Sequence, residues 1–388
     1  MSESEPYIIA AVRTPIGLGR ASGALHVLHP VDLLATTLKE VVARAGVKPE
    51  DVEDVVAGCV TPIGDQGNNV GRLAALKAGF PVSVPGLQIN RFCGSGQQAI
   101  HMAAQEIASG DMDIVIACGV EMMSRVPMGS DWEIAPEFAA SFPYVLQQQG
   151  TAAELIAARW GLTRRALDEY SAESHRKAAA ATAAGWYRKE ILPIAAGKNG
   201  QPLLSTDEGI RPNPDLTKML ALPPAFHPDG VVTAGNSSQI SDAASAVLLA
   251  SGRKADELGL RKRARFASRI VVGNDPELML TGPIPATRFA LARTGLTIDE
   301  MDAIEINEAF ASVVLAWVHE IEPPMERVNI QGGAIAHGHP LGATGAVLMP
   351  KLLPLLERTG GRYGLQTMCI GLGMATATII ERVEDSRA

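Results

Sequence analysis

A cysteine in a glycine-rich turn is the residue of this chain best suited to nucleophilic chemistry. Cys93 lies between a short apolar segment, residues 86–90, and a helix that the sequence predicts over residues 97–109. The free N–H groups and the dipole of a helix N-terminus stabilise an anion, so we expect the pKa of the Cys93 thiol to fall. A thiolate there is a competent nucleophile. For a lone cysteine a buried structural role is the favoured interpretation, so the other motifs must decide.

Three motifs in the last third of the chain carry polar or titratable side chains of the kinds found in active sites. Asn307 and Glu308 follow a strand predicted over residues 303–306. His339 lies in a glycine-rich turn, and Cys369 follows a further strand. Polar side chains at the carboxyl end of a strand commonly line sites in α/β folds. Each motif alone has a structural alternative, since His339 can be a turn histidine, Cys369 a small buried residue and Glu308 a helix-dipole carboxylate.

The elements that must position these residues alternate between strands and helices. Strands predicted at residues 7–12, 52–59 and 113–118 alternate with helices at 31–45 and 97–109. This alternation indicates a parallel sheet covered on both faces. An irregular stretch rich in Met, Pro, Ser and Gln then begins an insertion that also holds two helices, residues 151–160 and 163–184. Long insertions of this kind are usually functional lids or binding loops.

The last third repeats the first in outline. The predicted strand at 303–306, the glycine-rich turn and helix from Asn329, and the strand that ends at Cys369 follow in the same order as their counterparts near residues 52, 90 and 118. We interpret this order as two similar α/β halves. Pro350 and Pro354 lie within the second long helix, where we expect a kink or an early end.

Composition excludes several classes of function. The net charge of −8 makes nucleic acid an unexpected partner, so an anionic ligand would need a local basic cluster. Four cysteines are too few for a disulfide scaffold, and their spacing is not that of a metal site, so we expect no metal. No apolar run reaches the ~18 residues of a membrane span. A reducing, cytoplasmic location is expected.

Taken together, six motifs resemble those of the thiolases, enzymes that make or cleave 3-ketoacyl thioesters. They occur in the expected order from about Ile9 to Val383: NRFCGSGQQA, GVEMMSR, TAGNSSQISD, INEAFA, GGAIAHGHPLGATG and TMCIGLG. The chain is most similar to the degradative branch, the acetyl-CoA acyltransferases. The segments GCVTPIGDQGNN and GNSSQISD are similar to bacterial thiolases that act on bulky, steroid-derived acyl chains.

The resemblance implies a fold and a division of the chain. The thiolase fold has two duplicated α/β halves in five layers, αβαβα, with an inserted loop domain that covers coenzyme A. On this chain it implies an N-terminal half over residues 1–120 and 239–262, a coenzyme A-binding loop domain over 121–238, and a C-terminal half over 263–388. Family members are usually dimers or dimers of dimers, so a homodimer or homotetramer is expected.

Catalytic roles follow from the same resemblance. It implies that Cys93 attacks the C3 ketone, that His339 takes the thiol proton, and that Cys369 protonates the departing enolate. Cys369 would then deprotonate the incoming thiol of coenzyme A. His339 and a water held by Asn307 would stabilise the enolate oxygen, and the N–H groups of Cys93 and Gly371 would stabilise the tetrahedral oxyanion. Coenzyme A is a substrate in this chemistry, and no resident cofactor is expected.

Substrate contacts are implied at further positions. Arg211 matches a nucleotide-contacting arginine, with a surface ion pair to Asp207 or Glu208 as an equal alternative. Four residues match positions that flank the pantetheine arm: Phe226, Ala234, Ser238 and Phe310. Two departures affect the acyl pocket, since Gln149 stands where the family usually has Met and Leu372 where it often has Gly.

Three other functions stay open at this stage. A biosynthetic acetoacetyl-CoA thiolase would carry the same catalytic residues and run the condensation. A ketoacyl synthase would be expected to lack both Cys369 and the coenzyme A loop insertion. A thiolase-like protein that only binds acyl-CoA or lipid would be favoured by loss of Cys93 or His339, and neither residue is lost.

Overall fold

The computed structural model describes residues 3–195 and 203–384. This part of the chain holds twelve strands: Pro6–Arg13 (β1), Gly17–Leu18 (β2), Asp54–Gly58 (β3), Leu87–Ile89 (β4), Ile114–Met122 (β5), Ile194–Ala195 (β6), Leu203–Leu204 (β7), Ser241–Ser251 (β8), Ala264–Gly273 (β9), Ala303–Ile306 (β10), Tyr363–Ile370 (β11) and Met374–Arg382 (β12). It also holds twelve α-helices: Pro30–Ala45 (α1), Val70–Lys77 (α2), Ser95–Ser109 (α3), Pro136–Ser141 (α4), Gln149–Arg159 (α5), Arg164–Ala183 (α6), Leu216–Leu220 (α7), Gly252–Glu257 (α8), Pro283–Thr294 (α9), Ala311–Ile321 (α10), Ala334–His337 (α11) and Leu341–Thr359 (α12).

The large sheet is mixed, so the prediction of a parallel sheet is wrong in part. Its strand order is β10-β11-β12-β9-β1-β8-β5-β3-β4, with β2 beside β8. Strand β3 is parallel to β4 and β5, and β10 is parallel to β11. The other pairings along this order are antiparallel. The sequence pattern concealed this because β8 and β12 are as fully buried as parallel strands are.

The two halves have the same strand pattern, as the duplication predicted. In the first half β3 is parallel to β5, which is antiparallel to β8, which is antiparallel to β1. In the second half β10, β11, β12 and β9 repeat these relations in the same order. Even the short β4 has a counterpart, because Val328 forms a parallel bridge with Ile304 of β10. The halves join where Tyr7 and Ile8 of β1 pair with β9.

Helices α3 and α12 form the middle of five layers. An outer core buries α1 and α2 against one face of the first half, and another buries α9 and α10 against the second half. Between them, a third core joins α3 and α12 to the inner faces of both halves. The two central helices approach closely at Gly345, where a Cβ atom would lie 2.1 Å from the backbone nitrogen of Gln97. The αβαβα architecture is therefore present.

Helix α12 continues through both prolines, so the expected early end is wrong. Proline at position 350 leaves the carbonyl of Ala346 without its usual helical donor. The hydroxyl of Ser245, on β8, lies 2.7 Å from that oxygen and 2.8 Å from the carbonyl of Val12, so its one proton is shared between these two acceptors. The helix is also buried along most of its length, so tertiary packing stabilises it beyond its intrinsic propensity.

The insertion lies between β5 and β8, as predicted. It contains α4 to α7 and the small β6–β7 ribbon. Thr163 caps α6 by accepting a hydrogen bond from the backbone N–H of Ala166. In the described ranges, no helix is long and apolar enough to cross a membrane. The domain boundaries themselves stay a prediction.

Candidate active site

Cys93 lies in the turn between β4 and α3. Helix α3 begins at Ser95, two residues before the predicted start, so Cys93 directly precedes its first turn. The Ser95 hydroxyl accepts from the N–H of Arg91 at 2.8 Å and donates to the carbonyl of Phe92 at 2.6 Å. Phe92 has a positive φ of 43°, a conformation that costs free energy in a residue with a Cβ. This tight turn directs Cys93 inward, where only 1% of its surface is exposed.

The prediction of a lowered thiol pKa at Cys93 is wrong. Burial raises the pKa of Cys93 to about 12, although hydrogen bonds from the N–H groups of Cys93 and Gly371 act in the opposite direction. The desolvation of a thiolate in this apolar pocket outweighs the helix N-terminus. Val60, Met123, Leu341 and Met368 pack with Cys93 in that pocket. The Cys93 thiol is therefore neutral at rest, and it would need a base to act as a nucleophile.

Cys369 reaches the same pocket from the second half. It is the penultimate residue of β11, is fully buried, and leads into the turn of residues 371–373 that connects to β12. Burial, followed by the charge of Cys93, raises the pKa of the Cys369 thiol. The backbone N–H of Gly371, two residues beyond Cys369, faces the Cys93 sulfur, so the two cysteines lie in the same region. The other two cysteines, Cys59 and Cys118, are buried in the core of the first half.

His339 is held as a neutral imidazole with a defined tautomer. Its Nδ1 atom lies 2.6 Å from the hydroxyl oxygen of Thr344, and that hydroxyl donates to the carbonyl of Pro340 at 2.8 Å. Because the hydroxyl proton is already used, Thr344 accepts the proton of Nδ1, and the lone pair is on Nε2. Burial lowers the pKa of His339 to about 4. The side chain is therefore a free base at neutral pH.

The Asn307 side chain contacts the Nε2 edge of this imidazole. Its Nδ2 atom lies 3.4 Å from Nε2 of His339, and its backbone N–H donates to the carbonyl of Thr367 at the end of β11. Within residues 3–195 and 203–384, its buried Oδ1 atom has no hydrogen-bond partner. A buried amide oxygen without a partner is costly, which indicates a place for a ligand or a water.

Glu308, unlike Asn307, forms hydrogen bonds that hold parts of the structure together. Its carboxylate accepts hydrogen bonds from the hydroxyls of Tyr170 and Ser174 on α6, and from Nδ2 of Asn329. It also accepts from the backbone N–H of Ile335. Helix α10 begins only at Ala311, so Glu308 does not serve the dipole of the helix that follows it in the chain. Glu308 instead ties the insertion to the second half.

Sequence reasoning missed two anchors of the site, Thr344 and Glu121. The buried Glu121 carboxylate accepts from the backbone N–H groups of Val60 and Gly342 and from the amide of Gln66. It thereby connects the first half to the start of α12, next to the His339 turn. A charged residue near the end of the otherwise apolar run IVIACGVEM was the signal for it. For Thr344 the signal was a hydroxyl five residues after the histidine, in the first turn of a helix.

The four positions matched to the pantetheine arm lie on two adjoining segments. The rings of Phe226 and Phe310 meet edge to face with centroids 5.9 Å apart. The backbone N–H of Ser238 donates to the carbonyl of Ala309 at 2.9 Å, and Ala234 is exposed on the same segment as Ser238. Phe226 is 39% exposed, so its ring forms part of an open apolar surface.

Arg211 is an exposed side chain whose expected ion-pair partners are engaged elsewhere. Asp207 pairs with the buried Arg13 at 2.7 Å and with His337 at 2.7 Å. Glu208 accepts two backbone N–H groups of the first half. The backbone N–H of Arg211 donates to Nδ1 of His175, which fixes the main chain and leaves the guanidinium at the surface. The surface ion-pair alternative is therefore not the arrangement found.

Gln149 and Leu372 are the two residues that differ from the family's usual ones at their positions. Both lie beside Gly371. The amide nitrogen of Gln149 is 3.5 Å from the position that a Cβ on Gly371 would occupy. Leu372 has a φ of 59°, a left-handed conformation that explains why glycine is usual there. Its side chain is half-buried.

Comparison with known families identifies the family to which the chain belongs. Residues 6–253 match the thiolase N-terminal domain, and residues 260–382 match the thiolase C-terminal domain. The chain belongs to the thiolase family. The two matched regions of this thiolase meet at the β1–β9 junction, and each supplies one of the two site cysteines.

Alignments with named relatives cover nearly the whole of this thiolase. It is 48% identical to the steroid 3-ketoacyl-CoA thiolase FadA6 of Mycobacterium tuberculosis, over 98% of this chain and 95% of the relative. It is 42% identical to a 3-ketoacyl-CoA thiolase of Pseudoalteromonas translucida, over 98% and 100% of the two chains. A 3-ketoacyl-CoA thiolase of Vibrio parahaemolyticus is also 42% identical, over 97% of each chain.

Proposed function

We propose that this thiolase cleaves 3-ketoacyl-CoA with coenzyme A, giving acetyl-CoA and an acyl-CoA shortened by two carbons. One observation carries the proposal: Cys93 and Cys369, one from each half, are buried in the same region. Asn307, whose backbone N–H bonds the strand that carries Cys369, contacts the neutral imidazole of His339. The relatives named 3-ketoacyl-CoA thiolase support the same reaction. Acyl transfer through a covalent thioester needs a nucleophile and a second acid–base group, and this site has both.

The first half-reaction begins at Cys93. Its sulfur forms a bond to the C3 carbon of the substrate while Nε2 of His339 takes the thiol proton. Because burial raises the pKa of Cys93 and lowers that of His339, an ion pair is unfavourable before attack. Proton transfer therefore accompanies formation of the carbon–sulfur bond. The bond between C2 and C3 then breaks, and Cys369 gives its proton to C2, which releases acetyl-CoA.

The second half-reaction reverses these roles. The Cys369 thiolate takes the proton of an incoming coenzyme A thiol, and the new thiolate attacks the acyl group on Cys93. The Cys93 sulfur leaves and regains its proton from His339. All protons and the acyl group are thereby accounted for, and coenzyme A acts as a substrate with no resident cofactor.

Negative charge develops on two oxygens, and the site offers donors for each. The N–H groups of Cys93 and Gly371, which face the Cys93 sulfur, are candidates for the tetrahedral oxyanion. For the thioester enolate, the candidates are a water held by the unpartnered Oδ1 of Asn307, and Nε2 of His339 once it has taken the thiol proton. Removing one such donor typically costs about 10²–10³ in rate.

Coenzyme A is anionic and this chain is acidic, so a local cation must help to bind it. The exposed Arg211 guanidinium is our candidate for the nucleotide, and the Phe226–Phe310 surface for the pantetheine arm. For the acyl group we propose a bulky, steroid-derived chain, which the similarity to the steroid 3-ketoacyl-CoA thiolase supports. Gln149 and Leu372 are the residues placed to shape that pocket.

A homodimer or homotetramer stays our proposal for the assembly. Strand β4 is a sheet edge on which Leu87 is 38% exposed. A second copy that extends the sheet at this edge would pair with its free backbone groups. The four free cysteines are compatible with the expected cytoplasmic location.

The function is tested with a panel of short, long and steroid-like 3-ketoacyl-CoA esters in the presence of coenzyme A. We expect acetyl-CoA release, with the highest kcat/KM for the steroid-like ester. A biosynthetic enzyme would instead show the best activity with acetoacetyl-CoA and readily condense acetyl-CoA. Binding of every ester without turnover would contradict the proposal and favour an acyl-CoA-binding protein.

A further inference from the structure

Gln149 is the first residue of α5, and its side chain extends toward the nucleophile. Its amide nitrogen lies 3.5 Å from the Cβ position of Gly371, whose own N–H faces the Cys93 sulfur. The Phe92 ring lies at the same distance from that position, so Gln149 and Phe92 flank Gly371. Gly150, the next residue, packs against the Phe226 ring, where any larger residue would clash. The backbone that carries Gln149 is therefore fixed in place.

An amide at this position changes the chemistry available to the sulfur. The family usually has methionine here, and a thioether has no proton to donate. A glutamine of similar length supplies an N–H donor. Hydrogen bonds to an ionised group are stronger than those between neutral groups, so the donor stabilises a thiolate more than a thiol. In agreement, the Gln149 side chain acts to lower the pKa of Cys93, alongside the two backbone N–H groups.

We infer that Gln149 donates a hydrogen bond from its amide to the sulfur of Cys93, as a third donor beside the N–H groups of Cys93 and Gly371. Its function is to stabilise the thiolate as it forms and as it leaves the acyl-enzyme. The pocket is apolar and buried, so a single added donor has a large effect on the charged form. This inference rests on the proposed role of Cys93 as nucleophile.

The experiment measures thiolate formation directly, without substrate. Wild type, Gln149→Met and the control Gln148→Met are treated with iodoacetamide over a range of neutral to alkaline pH, and the alkylated peptides are quantified by mass spectrometry. Gln148 is exposed and its side chain makes no capping hydrogen bond, so its replacement tests for a general effect of methionine. Alkylation of Cys369 in the same samples provides an internal reference, and thermal unfolding verifies that each variant is folded.

We expect Gln149→Met to alkylate at Cys93 about tenfold more slowly than wild type at a given pH, equivalent to about one pKa unit. Gln148→Met and the Cys369 reference are expected to be unchanged. Equal Cys93 alkylation rates in wild type and Gln149→Met would overturn the inference. Failure of the proposed function is a separate result, because it would appear as absence of wild-type turnover whatever the alkylation rates are.

Discussion

The Nδ1 atom of His339 and the hydroxyl oxygen of Thr344 are 2.6 Å apart, and this contact decides which nitrogen of the imidazole is the base. Thr344 lies in the first turn of α12, where its hydroxyl also bonds the carbonyl of Pro340. The helix that supplies the threonine directly follows the turn that supplies the histidine. The local chain therefore fixes the tautomer without any residue from another element.

Replacing Thr344 tests this relationship. In Thr344→Val the Nδ1 proton loses its acceptor, so the imidazole can rotate or adopt the other tautomer. We expect kcat/KM to fall by about 10²-fold, the lower end of a general-base contribution. Thr344→Ser keeps the hydroxyl and should retain most activity, although both variants lose stability by similar amounts. Equal activity of the Val and Ser variants would contradict the assigned tautomer.

The low pKa of His339 predicts an unusual shape for the acidic side of the pH–activity profile. The active base is the neutral imidazole, so activity is lost only when the pH falls through the folded-state pKa. Burial moves that pKa from its ordinary 6.5 to about 4. We therefore expect kcat/KM to stay nearly constant as the pH falls through 6.5, and to decline as it approaches 4. Circular dichroism at each pH separates this from acid unfolding, and a decline centred at the ordinary value would contradict it.

Leu372 offers a test of backbone strain beside the site. Its φ of 59° is a conformation that costs a residue with a Cβ about 1–2 kcal/mol. Leu372→Ala removes the side chain but keeps this cost, whereas Leu372→Gly removes both. We expect the glycine variant to be more stable than the alanine variant by about 1 kcal/mol in denaturant unfolding. The two variants should accept the same acyl chains, and equal stabilities would show that the turn is unstrained.

Ser245 tests why α12 tolerates Pro350. Ser245→Ala leaves the Ala346 carbonyl without a donor inside the buried core, so we expect a loss of about 1–3 kcal/mol in the free energy of unfolding. Ser268 is a matched control, because its buried hydroxyl has no hydrogen-bond partner among residues 3–195 and 203–384. Ser268→Ala should therefore cost much less. Similar losses in the two variants would mean that the serine hydrogen bond does not support the helix.

Local sequence predicted most of the elements, and the duplicated order of motifs predicted how they are related. Strand β10 has the predicted bounds, and the predicted helix over residues 163–184 corresponds to α6. Strand direction was harder to predict, because a buried antiparallel strand such as β8 has no alternation to reveal it. The continuity of α12 was also hidden, since it depends on Ser245, about a hundred residues away in sequence.

The candidate site was likewise predictable from the sequence only in part. Motif chemistry singled out Cys93, His339, Asn307 and Cys369, and the structure gathers them around one buried region. The protonation state of Cys93 was not predictable from its turn. A helix N-terminus is visible in sequence, whereas the apolar side chains that bury the thiol come from several distant segments.

The central claim, that Cys93 carries the acyl group and Cys369 moves the protons, is tested most directly by mapping the covalent intermediate. Wild type and Cys369→Ala are mixed with a 3-ketoacyl-CoA ester, quenched in acid and digested, and the acylated peptide is identified by mass spectrometry. The account predicts acylation at Cys93 only, with turnover in Cys369→Ala lower by about 10²–10⁴. Acylation of Cys369, or full turnover in Cys369→Ala, would contradict it.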